Sequence, residues 1–239
     1  MPLYYYGFDW TYIVLVVPCL LLALWAQASV NSTFKKYSHQ FSSRNLTAAD
    51  AAQLVLRNNN VYNVTVERIS GHLTDHYDPR ANVIRLSDSV YSSTSTAAIG
   101  VACHEAGHAV QYAQNYAPIK LRAAIIPITN IGSRLAMPLI LAGILFTFLG
   151  HFSDILIYAG ILCFSFSLIF QLITLPVEID ASNRALVAIQ QGNLLTSEEL
   201  SGAKKTLRAA AMTYVAAVAV SLGQLLRLIL LFGNRRDND

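Results

Sequence analysis

His104-Glu105-Ala106-Gly107-His108 is the stretch of this chain best able to do chemistry. On a helix, His104 and His108 lie one turn apart on one face, so two imidazole nitrogens can reach one Zn²⁺. Glu105 follows directly, and its carboxylate can reach water held by that ion without being a ligand. Zinc lowers the pKa of such water towards ~7; Glu105 takes the proton, and the hydroxide attacks a carbonyl that the metal polarises. In a chain of this composition HExxH arises by chance with a probability of roughly 0.3%. The competing reading is two ordinary histidines on a helix face. The spacing favours a hydrolytic zinc site with Glu105 as general base.

A catalytic zinc takes a third protein ligand. His39, His72, His76 and His151 are the other histidines, and none stands at the downstream HExxHxxGxxH spacing. Pro176-Val177-Glu178-Ile179-Asp180-Ala181-Ser182 instead reads as the start of a helix directly after an apolar run. The residues alone leave two readings of it open. Glu178 is a ligand, or Glu178 and Asp180 decorate a helix N-terminus, where the macrodipole favours acids.

The elements that must carry these residues follow from composition. Of 239 residues 54% are hydrophobic and only 13% charged, about half the charged share of an ordinary soluble domain. Mean hydropathy is +0.42. A net charge of +3, without a basic stripe, excludes a nucleic-acid binder. Cys19, Cys103 and Cys163 are odd in number and lack CxxC spacing, which argues against a disulfide framework or a thiolate metal site. Four apolar runs predict membrane spans at 12–28, 125–149, 155–175 and 209–232, the middle two forming a hairpin. Tyr4, Tyr5, Tyr6, Trp10, Tyr12 and Trp25 flank the first as interfacial anchors. No Lys or Arg precedes that run, so it reads as a retained anchor, not a signal peptide.

Two polar regions remain, 29–124 and 176–208. Thr47 with Asp50 marks a helix start, Val64–Val66 and Asn82–Leu86 alternate like short strands, and Ser92–Thr96 opens a helix over about 96–114. Basic residues concentrate in both regions and are missing from the N-terminal tail and the 150–154 turn, which puts both regions on the cytoplasmic side. Arg235 and Arg236 then fall outside, offset by Asp237 and Asp239. The sequons at Asn31, Asn45 and Asn63 weakly favour the opposite orientation.

Leu73–Pro79, Ile84–Ser87, Ala97–Gln111 and Leu175–Ala185, with the arrangement of spans, resemble the YugP-like zinc-dependent membrane peptidases, a family of neutral zinc metallopeptidases. The resemblance extends from about Tyr12 to the fourth span. It implies a mainly α-helical integral membrane protein with about four transmembrane helices and a small α+β zincin-like (gluzincin) soluble domain. It also implies Zn²⁺ as cofactor, His104 and His108 as ligands, Glu105 as base and Glu178 as third ligand. In related membrane gluzincins an Asp stands four residues after the ligand Glu. Here that position is Ser182, so the hydrogen bond to a ligand histidine must be remade, with Asp180 as the other candidate. By the same resemblance Ile84, Arg85 and Leu86 form the strand that pairs with an extended substrate. Asp75, His76 and Asp78 read as a hydrogen-bonded turn before it.

The expected activity is that of a multi-pass metalloendopeptidase of a bacterial-type plasma membrane. It would cut polypeptide or membrane-protein substrates at the cytoplasmic surface of the lipid bilayer. The alternative is a non-catalytic membrane scaffold or chaperone with a retained zinc site, for which an intact Glu105 has no use. A transporter would carry charges mid-span, whereas here they collect at span ends. Nothing in the sequence sets the oligomeric state.

Overall fold

A computed structural model describes residues 4–5 and 8–233. Tyr6, Arg235, Arg236, Asp237 and Asp239 lie outside the described residues. The fold is mostly helical, with a small three-stranded sheet and four helices long and apolar enough to cross a membrane. Short strands β1 (Tyr4–Tyr5) and β2 (Phe8–Asp9) pair antiparallel at the N-terminus. After a π-helical turn at Tyr12–Val16 come α1 (Val17–Tyr37), α2 (Ala48–Asn58), β3 (Thr65–Ile69), β4 (His76–Asp78), β5 (Val83–Ser87) and α3 (Thr96–Ala113). Then follow α4 (Ala117–Leu145), α5 (His151–Gln191) and α6 (Ser197–Phe232).

The chain divides into two compact units. One holds the residues up to Trp25, Leu121–Leu175 and those from Tyr214 onward; the other holds Ala26–Lys120 and Pro176–Thr213. In the first, large apolar side chains face outward, among them Leu24 at 68% and Leu145 at 72% exposure. Such a surface suits lipid and not water. The hairpin of α4 and α5 closes on glycines: a Cβ at Gly160 would stand 2.8 Å from the Ala136 carbonyl oxygen. Asp9 accepts two hydrogen bonds from Arg227 at the far end of α6, so the charge in that apolar run is neutralised.

The second unit joins the two polar regions around one core. Ala48, Ala51, Ala52, Val55 and Leu56 of α2 pack in a core with Ala98, Ile99, Ala102, Ala106 and Ala109 of α3. Small side chains on both faces let the two axes approach closely. Thr47 caps α2, its hydroxyl accepting from the Asp50 N–H at 3.1 Å, and Ser95 caps α3 in the same way on Ala98. In the sheet β5 is central, parallel to β3 on one side and antiparallel to β4 on the other.

Two expectations are corrected here. Pro176 does not start a helix: α5 runs unbroken through it. The proline forfeits one backbone hydrogen bond, but Val177, Ala181, Ala185 and Ile189, four residues apart, are fully buried and hold the helix in register. Ile84, Arg85 and Leu86 cannot pair with a substrate, because both edges of β5 are already taken. Ile84 and Leu86 are fully buried core residues, and Arg85 forms an ion pair with Asp78 at 2.8 Å.

Candidate metal centre

The site is assembled where α3 meets α5. Gly107 makes the approach feasible, since a Cβ there would lie 2.7 Å from the Ala181 carbonyl oxygen, inside contact distance. The buried stripe Val177–Ala181–Ala185 has two flanks. Glu178 and Ser182, one turn apart, occupy one of them; Asp180 and Arg184, also one turn apart, occupy the other.

The first flank meets the HExxH histidines. Glu178 Oε2 lies 3.2 Å from His104 Nε2 and 3.3 Å from His108 Nε2, with side-chain exposures of 3%, 14% and 11%. The imidazole rings stand nearly perpendicular, centroids 4.7 Å apart. One donor atom from each residue lies within 4.8 Å of the others, the one such group among the described residues. Zinc–ligand bonds of about 2.0–2.1 Å set ligand atoms of a tetrahedral site roughly 3.3 Å apart. Two imidazoles and a carboxylate at this spacing fit zinc. Glu178 is mid-helix in α5, so the dipole argument for an acid at a helix N-terminus does not apply to it.

Each histidine is oriented through its other nitrogen. Ser182 Oγ lies 3.1 Å from His104 Nδ1. On the other flank, Gln111 fixes His108 by a stricter argument. Its Nε2 donates to the Val177 carbonyl at 2.9 Å and to Asp180 Oδ2 at 2.7 Å. Both partners are acceptors only, so the amide can point only one way. Its Oε1 therefore faces His108 Nδ1 at 3.0 Å, which must carry a proton, so Nε2 is the nitrogen that turns to Glu178, donating to it when protonated and offering its lone pair to a metal when not. Asp180 is held in turn by Arg184 at 2.5 Å, and Arg184 also donates to Gln114 and lies over the ring of Tyr116. Asp180 thus makes no hydrogen bond to the histidines themselves among the described residues. It reaches His108 through Gln111.

Gln111, Arg184 and Gln114 escaped the sequence reading. Gln111 stands three residues after His108, and Arg184 four after Asp180, so helical spacing alone was the available signal.

Burial would push the Glu178 carboxyl up, but hydrogen bonds from His104 and His108 reverse this and hold it far below the usual carboxylate range. His108 moves oppositely. Burial would lower it, yet the Glu178 hydrogen bond and the charges of Glu105 and Glu178 raise it above an ordinary imidazole. Cys103, beside His104, is fully buried and its thiol is pushed up to about 12, so it is an inert core residue.

Glu105 is 8% exposed, and its carboxylate has no hydrogen-bond partner among the described residues. Nearby, Asp75 accepts from the N–H and hydroxyl of Ser87 at 2.7 and 3.0 Å. Burial pushes its carboxyl up against those bonds, and the Glu105 charge adds to the rise. His76 and Asp78 belong to strand β4 and not to a turn; the turn follows them, where Asp78 accepts from the N–H groups of Arg80 and Ala81, while exposed His76 contacts the Thr74 carbonyl. No second metal cluster occurs among the described residues.

The sequence profile of the family described as "Putative neutral zinc metallopeptidase" matches residues 12–233. The chain belongs to this family. It is also 46% identical over 228 residues to "Putative membrane protease YugP" of Bacillus subtilis (strain 168), covering 95% of this chain and 99% of that protein. No solved structure matches the chain. Family and relative together support a protease role and zinc as the metal, and the apolar helices a membrane protein.

Proposed function

We propose that the protein is a multi-pass membrane zinc endopeptidase whose metal is held by His104 Nε2, His108 Nε2 and Glu178 Oε2. The observation that carries this reading is the convergence of those three atoms beside an uncommitted Glu105 carboxylate. When bound, zinc supplies Lewis-acid chemistry, polarising a substrate carbonyl and acidifying water. Glu105 accepts the proton of the attacking water and delivers it to the amine nitrogen that leaves. Gln111 and Ser182 keep both imidazoles turned with Nε2 towards Glu178, so the donors are in place before metal arrives.

Substrate pairing passes from β5 to β4. The outer edge of β4 carries no strand among the described residues, and Tyr77 on β4 packs against Tyr112 of α3, one turn beyond His108. An extended peptide added along His76–Asp78 would run beside the catalytic helix. The charge distribution of the sequence supports a cytoplasmic site, with unfolded or membrane-anchored polypeptides as the substrate class.

The test is Glu105→Gln in the purified full chain, with fluorescent casein as probe. Zinc content should be unchanged while cleavage falls by about 10²–10⁴-fold, the contribution of a positioned general base. Equal cleavage by variant and wild type would remove the enzymatic assignment and leave the scaffold reading.

A further inference from the structure

A second site lies away from the metal centre, where α1 emerges from its apolar run and α6 enters its own. A groove of about 420 Å³ is lined by Lys36 and Tyr37 from α1 and by Lys205, Arg208 and Met212 from α6. The ammonium groups of Lys36 and Lys205 both stand over the Tyr37 ring, 5.6 and 5.8 Å from its centroid. Arg208 follows Lys205 by three residues and shares its face. No Asp or Glu lines the groove, and none of the three cations has an ion-pair partner among the described residues. The fold thus gathers three like charges, from positions far apart in sequence, without neutralising them.

We infer that this groove binds the phosphate headgroup of an anionic glycerophospholipid. Its depth supports a lipid over a soluble anion. The first apolar run ends at Ala28 and the fourth begins at Ala209, so the three cations follow one run and precede the other within about two helical turns. At about 1.5 Å per helical residue, Lys205 lies about 6 Å and Lys36 about 12 Å beyond the hydrocarbon boundary. A lysine stem can reach back over part of that distance, into the layer where phosphates sit. Lining residues Ala209 and Met212 belong to the apolar run itself and offer a surface to the glycerol and upper acyl chain. The requirement is a negative charge at this depth, which phosphatidylglycerol meets and phosphatidylcholine does not. The inference rests on reading the apolar helices as membrane spans and is independent of the peptidase assignment, so it can be tested on the Glu105→Gln protein.

The experiment is native mass spectrometry of the full chain released from detergent containing equal phosphatidylglycerol and phosphatidylcholine. The wild type should retain phosphatidylglycerol selectively. Replacing Lys36, Lys205 and Arg208 by Gln should weaken retention about fivefold per cation lost. These side chains are exposed, so folding should survive. A Lys36→Arg, Lys205→Arg protein keeps the charge and should keep the lipid, while Lys35→Gln with Lys204→Gln, outside the lining, should change nothing. Retention by the triple Gln protein, equal uptake of both lipids, or equal loss in the Lys35/Lys204 control would each overturn the site. Displacement of the lipid by millimolar inorganic phosphate would overturn the lipid assignment and make the groove a free-phosphate site.

Discussion

Gln111→Leu tests the orientation argument most directly. The side chain is fully buried, and leucine fills nearly the same volume without the amide. Three hydrogen bonds disappear, to His108 Nδ1, the Val177 carbonyl and Asp180. Asp180 keeps Arg184 and the Val177 oxygen keeps its bond within α5, so one buried group, the imidazole N–H, is left without a partner. At about 1–3 kcal/mol for a buried unsatisfied group, the metal-free protein should lose about 1–3 kcal/mol of stability. A free His108 ring can also flip or exchange its proton between nitrogens, and loss of such an outer partner weakens metal binding about 10–100-fold. Ser182→Ala removes one neutral hydrogen bond of about 0.5–1.5 kcal/mol, so its effect on zinc should be several-fold smaller. Chelator competition gives zinc affinity, and the visible absorption of the Co²⁺-substituted protein reports ligand geometry independently of activity. Folded Gln111→Leu protein with wild-type zinc affinity and an unchanged cobalt spectrum would refute the assignment of His108's tautomer to Gln111.

Glu178→Ala should abolish stoichiometric zinc, whereas Asp180→Ala should lower activity more than metal content, because it acts through Gln111; metal analysis of both proteins decides the order. Gly107→Ala drives a methyl group into the Ala181 carbonyl and must separate α3 from α5, costing about 1–3 kcal/mol and most of the zinc affinity, which thermal melts and metal content would register. In metal-free protein, His108 contributes stability that is full below the ordinary imidazole range and is lost as pH rises through its raised pKa. Glu178, beyond the apolar run 155–175, contributes stability that is full above the ordinary carboxylate range and is lost as pH falls through its depressed pKa. The melting temperature of stripped protein should therefore peak between the carboxylate and imidazole ranges. Zinc should extend the plateau to higher pH, since it takes the place of the His108 proton; a metal-free profile flat across neutral pH would contradict the Glu178–histidine pairing.

Local spacing was enough to expose the parts of this protein whose chemistry is local. HExxH puts both histidines on one helix face whatever that helix packs against, and runs of apolar residues declare their solvent by length alone. The caps at Thr47 and Ser95 are equally legible, because a cap is made within four residues. Pairings between distant segments were not legible in the same way. From sequence, Glu178 and Asp180 were two acids on one short stretch; the buried stripe of α5 decides that Glu178 faces the histidines while Asp180 faces Gln111. Pro176 suggests a helix start in the sequence and is none in the fold, since a proline marks a boundary only where packing does not hold the chain through it. The same limit explains β5. Alternation shows that a segment is extended, but whether a strand is central or at an edge depends on its partners, and β5 becomes central only because β3, parallel to it, closes the edge that the neighbouring β4 leaves open. The cationic groove is the extreme case, for Lys36 and Lys205 acquire a common tyrosine ring only through the packing of α1 against α6. Periodicity is carried by the backbone of one segment, whereas proximity is carried by the core that several segments share.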